Sequence, residues 1–264
     1  MRVHIPITFI ALAAGSVVVC ADPGNLTITV TNTQAAGGFA FSPFWFGSHD
    51  SSFDLFNSGS SASMFPGVTS IAELADTSAL TTHFSSVQPN GTQLTFAEPN
   101  GAPVFTPGES ASINLSVSDT SMQRYLSYMS MVVPSNDLFV GSDNAIELYD
   151  AMGNFNGPVT INIFGSNVYD NGSEVNNIQN GGAFIMGVNA MLGDDENGNI
   201  HQFLSDPNSG NYISSIIGLT NGAGMTMTTG FDDTTLLGTI TIVPAPSSIA
   251  LLGAFAPIAM RRRR

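Results

Sequence analysis

The chain has 264 residues, 20 acidic against 6 basic, a formal net charge of −14, one Cys and no Lys. That length is ample for a buried core without disulfides, and 43% apolar residues with 18 Phe exclude a disordered chain. The charge excludes a binder of phosphate backbones, because an acidic body repels nucleic acid and anionic lipid and attracts divalent cations.

In chain order, Arg2 and the apolar stretch Ile5 to Val19 read as a secretory signal peptide, residues 1–21, with a cut ahead of Asp22. A lipoprotein role for Cys20 is the weaker reading, since Val19 stands where such signals carry a small residue. After that cut the chain has no thiol, and residues 22–243 keep all 20 acids against one cation, Arg124. Period-two alternation then predicts strands at Leu26 to Thr31, Ile113 to Val117, Val159 to Ile163 and Thr239 to Ile242, each with one buried and one wet face. The denser apolar runs Tyr125 to Val133 and Phe184 to Val188 read as central strands. Turn clusters such as Pro89-Asn90-Gly91, Asn156-Gly157-Pro158 and Asn180-Gly181-Gly182 punctuate them. Ser70-Ile71-Ala72-Glu73 has capping-box spacing and is followed by Leu74, Ala75 and Leu80, which predicts one or two short helices. Residues 205–230 read as a long loop with one weak strand. The fold class is all-β, an antiparallel β-sandwich with one or two short helices.

The C-terminal segment, residues 244–264, runs Pro244-Ala245-Pro246, then an apolar stretch Ile249 to Met260, then Arg261 to Arg264. Twelve residues span roughly 18 Å as a helix against a hydrocarbon core of about 30 Å, too short for a permanent span. The layout resembles the PEP-CTERM sorting signal, with Ala where that motif has Glu. The resemblance implies a Gram-negative bacterium, exosortase processing, export to the cell surface or matrix, and only transient membrane contact.

Enzymatic signatures fail: there is no G-x-S-x-G elbow, no H-E-x-x-H and no phosphate loop ending in Lys. A Ser/His/Asp triad can be assembled on paper from His49, His83 or His201, but geometry, not composition, identifies a triad. The acidic run Asp194-Asp195-Glu196 puts its Gly198 one place early for an EF-hand loop and reads as a solvated hairpin turn. Asp170-Asn171-Gly172-Ser173-Glu174 is a better cation loop, with two carboxylates four apart around a Gly that permits a tight turn.

At this point a family resemblance emerges. The run Met129-Ser130-Met131-Val132-Val133-Pro134-Ser135-Asn136-Asp137-Leu138-Phe139-Val140-Gly141 resembles the strand-and-loop signature of spondin N-terminal domains. Tyr169-Asp170-Asn171-Gly172-Ser173-Glu174-Val175-Asn176 is similar to a second signature of bacterial members, with Asn171 for Ala and Ser173 for Thr. The resemblance covers residues 25–243, weakly over 190–235. It implies a C2-like β-sandwich over 22–243 that binds Ca2+ through Asp137, Asp170 and Glu174. It also implies adhesion to an extracellular-matrix or cell-surface polymer or protein, and no enzymatic activity. Two other functions stay open: an exported hydrolase acting on surface polysaccharide, and a structural matrix protein without a ligand.

Overall fold

The computed structural model describes residues 24–99, 101 and 103–246; the predicted signal peptide and the apolar, Arg-tipped segment 249–264 lie outside them. Its strands are β1 (Asn25–Asn32), β2 (Ala40–Phe41), β3 (Phe44–His49), β4 (Thr92–Phe96), β5 (Ser110–Ser116), β6 (Tyr125–Val133), β7 (Leu138–Gly141), β8 (Ile146–Glu147), β9 (Val159–Phe164), β10 (Val168–Asp170), β11 (His201–Gln202) and β12 (Leu236–Pro244). Its helices are α1 (Val68–Leu74), α2 (Ser78–Val87) and α3 (Ser209–Ile216). Two antiparallel sheets form the sandwich. One has four strands in the order β5-β1-β12-β9, the other eight, with the path β11-β10-β7-β6-β3-β4 and with β2 and β8 also paired to β6.

The four alternating runs of the sequence are the four strands of the first sheet. Leu26, Ile28 and Val30 of β1 point inward, while Thr29 and Thr31 reach hydroxyls of Ser112 and Ser110 at 2.7 Å on the outer face. The second sheet is covered on both faces, which removes alternation. β3 is buried along its whole length. Phe44 and Phe46 face the inter-sheet core, and Trp45 faces a second core built with Phe53, Phe56, Ile71, Leu80, Phe84 and Phe139. α1 and α2 close that second core, so the domain has three layers.

Three expectations are corrected. Phe184 to Val188 is not a central strand; it is loop carrying isolated bridges at Ala183 and Ile185. Phe184 sits in the left-handed region at φ 60° and Met186 is exposed, so this apolar run offers no continuous ladder. Residues 205–230 hold α3, whose Tyr212, Ile213 and Ile216 are buried beneath a polar, Ser- and Asn-rich exterior. The Ser70–Glu73 capping box does not form: α1 starts at Val68 after a left-handed Gly67 with no side-chain cap. Adding a Cβ to Gly67 would press it onto the Leu80 backbone, so close packing of α2 requires glycine there.

Candidate metal centre

The predicted cation ligands come from two neighbouring loops. β7 pairs with both β6 and β10, which sets the loop before β7 beside the loop after β10. The first loop is stapled by Ser135, whose hydroxyl donates to Val132 O at 2.6 Å and accepts from Leu138 N at 3.1 Å. Asn136 is held from α3: the Tyr212 hydroxyl donates to its Oδ1 at 2.7 Å and accepts from its backbone N–H at 2.8 Å.

Asp137 follows and is 0% exposed. Its Oδ2 accepts three hydrogen bonds, from Ser173 N at 2.9 Å, Ser173 Oγ at 3.1 Å and Glu174 N at 3.0 Å. Its Oδ1 is buried with no partner. Asp170 ends β10 and is 1% exposed. It closes an Asx turn, accepting from Gly172 N at 2.7 Å, and its other oxygen accepts from Asn176 Nδ2 at 2.5 Å. Gly172 has φ 68°, and a Cβ there would lie 2.9 Å from Asn199 N and O. Both the turn and its close neighbour therefore require glycine, as the sequence indicated.

Asp137 and Asp170 are thus brought together. Glu174 is tied in differently: its N–H serves Asp137, while its carboxylate turns toward Asn136 Nδ2, 3.4 Å away, and packs against Gly181 and Gly193. Among the described residues no group of three or more His, Cys, Asp or Glu side chains is placed to hold a metal. The additional oxygen donors here are amides. Asn171 Oδ1 and Asn176 Oδ1 are also buried without partners, so among the described residues three of the four orphaned buried side-chain atoms fall within the sequence 137–176. The Asn176 amide cannot be reversed at no cost, because reversal would set its oxygen against the Asp170 carboxylate. Asn171 was visible inside the predicted cation-loop sequence and Asn176 at the end of the second family signature, but only burial separates them from the many surface Asn.

The Asp194-Asp195-Glu196 run is exposed to solvent, as the sequence indicated, but it is not a free turn. It lies along the loop after β10, with Val175 N donating to Asp194 O, Glu196 N to Ser173 O and Gly198 N to Gly172 O at 2.7–2.9 Å. Glu73, Asp194 and Asp195 act on Glu174, and Asp206 and Glu196 on Asp170, so acids crowd this end. Arg124, the one Lys or Arg among the described residues, pairs with Glu147. Burial, and then the charge of Asp170, push the Asp137 carboxyl well above its usual range. Burial also raises Asp170, against hydrogen bonds from Asn176 and Gly172. Glu174 is pushed up to about 7, by burial first and then by Glu73.

The sign of the pH dependence follows. Between about 4.5 and 7 the folded state holds a proton on Glu174 that the unfolded chain has released, so stability falls as pH rises through that window. Asp137 and Asp170 add the same sign. Buried His49, whose pKa is lowered by burial, opposes them below about 6.5. In chelator, thermal melts at pH 5, 6, 7 and 8 should therefore show a falling midpoint, with a smaller fall in Glu174→Gln. A midpoint that rises from pH 6.5 to 8 contradicts the reading.

The Ser–His contact that the sequence left open does exist, as His49 Nε2 with Ser127 Oγ at 2.9 Å. The other ring nitrogen faces the Asp50 backbone carbonyl, not a carboxylate. Ser127 is 1% exposed and His49 0%, so this pair fills the interior and presents no nucleophile to a substrate.

An antiparallel sandwich carrying a buried, cation-poor carboxylate loop between adjacent strands defines an all-β module with an oxygen-rich end. The Spondin_N family model matches residues 33–179, more than half of the chain, and the match contains Asp137, Asp170 and Glu174. The chain belongs to the spondin N-terminal family, a family of extracellular, secreted proteins. No curated protein matches the chain.

Proposed function

We propose that this protein is an exported module that binds calcium at the Asp137–Asp170 loops and adheres to a cell-surface or matrix polymer. The observation that carries the reading is the orphaned Oδ1 of fully buried Asp137 beside a second buried carboxylate, with no Lys or Arg among the described residues to answer their charge. Leaving a buried charged oxygen unpartnered costs several kcal/mol in order of magnitude, and a hard cation removes that cost. The donor set suits calcium: the carboxylates of Asp137 and Asp170 with the amide oxygens of Asn171 and Asn176, and no thiolate, while Glu174 contributes its backbone N–H to Asp137 rather than its carboxylate to the ion. When bound, calcium would neutralise these charges and lock the two loops together. The chain's own part is to hold Asp137 with three donors and Asp170 with two, before any ion arrives.

Export is supported by the signal-peptide-like start and the PEP-CTERM-like tail, and its destination on this reading is the outside of a Gram-negative cell. One experiment covers both parts. Cell envelope washed with 2 mM calcium should retain the protein, and chelator should release it. Mass spectrometry of the released form should find a start near Asp22 and no Arg261 to Arg264. Equal retention in calcium and chelator sinks the calcium-dependent adhesion, and an intact C-terminus sinks the processing.

A further inference from the structure

A groove lies on residues that the calcium reading does not use. The Pro89-Asn90-Gly91 turn after α2 and the Ser118–Gln123 loop before β6 line an open groove of about 500 Å³. A second cavity of about 180 Å³, reaching Asp50 and Gln88, shares Pro89, Asn90, Gly91, Met122 and Gln123 with it. The larger volume falls in the range of roughly 300–1,000 Å³ usual for small-ligand sites.

Both walls are held rigid. Gly91 N donates to Gln88 O at 2.9 Å, and Gly91 lies so close to Phe84 that a Cβ would meet the ring at 2.7 Å. Asp119 Oδ1 accepts from Ser121 N, Ser121 Oγ and Met122 N at 2.7–3.2 Å, and its carbonyl accepts from Gln123 N at 2.9 Å. On the smaller side, Gln88 Nε2 donates to Asp50 Oδ1 at 3.0 Å and Ser52 Oγ at 2.8 Å. Gln123 stands between the two cavities and is 2% exposed. Its Nε2 donates to Ser118 Oγ at 3.0 Å, while its Oε1 is buried and has no partner. Reversing the amide exchanges the orphaned acceptor for an orphaned donor, so one polar atom is unanswered either way. Gln123 lines both cavities, and its side-chain amide keeps hydrogen-bonding capacity that no protein group uses.

The lining selects the ligand. Asn90, Thr92 and Ser118 offer groups that both donate and accept, which suits hydroxyls. Met122, 55% exposed, and Pro89 supply an apolar plate for a C–H face. Asp50 and Asp119 are held below their usual pKa by Ser52 and Ser121, so both are anionic near neutral pH and repel acidic ligands. We propose that this groove is a binding site for a neutral saccharide unit, with the Gln123 side-chain amide as its buried anchor. The site shares no residue with the carboxylate centre and needs no calcium.

The test is an NMR titration of residues 22–246 in EDTA with three neutral hexasaccharides (cello-, manno- and isomalto-) and, as an anionic probe, a hexagalacturonate. With at least one neutral probe, the Gln123 side-chain amide and the Asn90 and Gly91 backbone amides should shift saturably. Ser118→Trp, on an exposed rim position, should weaken that binding at least tenfold while the amide shifts of the sheet strands stay those of the parent. Gln123→Met should weaken it similarly while leaving the Asn90 and Gly91 amides near their free positions. The proposal is overturned if no neutral probe moves these amides, if Ser118→Trp binds as the parent does, or if the anionic probe binds as tightly. Saturable shifts of the same amides by gelatin peptides alone overturn it in favour of a peptide site. Because the titration runs in EDTA, failure of the calcium reading leaves this result standing, and the converse holds.

Discussion

Two millimolar calcium is expected to raise the melting temperature of residues 22–246 by about 4–7 °C over the same protein in chelator. The size follows from linkage: for an extracellular-type site with Kd near ~10⁻⁴ M, the gain is about 1.8 kcal/mol. Each kcal/mol moves the midpoint of a domain this size by roughly 2–4 °C. Asp170→Asn should remove most of the gain, since an amide keeps one oxygen but not the charge. Asp137→Asn should separate two effects that a structural carboxylate would not. In chelator it should melt at or above the parent temperature, because it removes a buried charge that burial and Asp170 already disfavour, while keeping an oxygen for Ser173 and Glu174 N–H. In calcium it should lose the gain. Calorimetry beside the melts checks both arms, and identical curves with and without calcium, together with no heat of binding, remove the site.

Trp45→Ala is expected to be the most damaging single substitution in the second core, at about 3–5 kcal/mol. That is a fall of roughly 6–20 °C in melting temperature. Trp45 is fully buried in β3, packs edge-on against Phe84 at 5.2 Å and lies 6.1 Å from Phe53. Its indole N–H donates to Gln93 Oε1 at 2.8 Å, so truncation also strands a polar atom. Trp45→Phe should cost less, because it keeps most of the ring volume and loses mainly that bond. Trp45 is the only Trp in the chain, so circular dichroism rather than fluorescence has to follow both variants. A loss under 1 kcal/mol for the Ala variant would mean that α1 and α2 do not depend on this core for their seat on the sheet.

What the amino-acid sequence determined by itself was the sheet with one wet face. In β1, β5, β9 and β12, solvent on one side and core on the other write the pleat directly into the residues as alternation. The tight turn at Asp170–Glu174 was legible for a related reason: two acids four apart around a glycine describe a local turn, and Gly172 adopts the left-handed backbone that such a turn needs. Helices α1 and α2 were foreseen in place, although the capping spacing that suggested them is unused.

The tertiary structure alone decided the rest. β3 and β7 lie in a sheet covered on both faces, so every position is apolar or buried and no period survives to be read. α3 hides in a polar stretch because only Tyr212, Ile213 and Ile216 of its eight residues bring apolar side chains to the core, and the fourth buried residue, Ser209, is polar. Phe184 to Val188 has the composition of a strand, yet its backbone turns left-handed at Phe184 and Gly187. Whether Asp137, Asp170, Asn171 and Asn176 are solvated surface groups or a buried, partly unanswered cluster depends on which loops β7 sets side by side and on Tyr212 reaching Asn136 from α3. Burial and missing partners are properties of chain segments distant in sequence, and no local pattern encodes them.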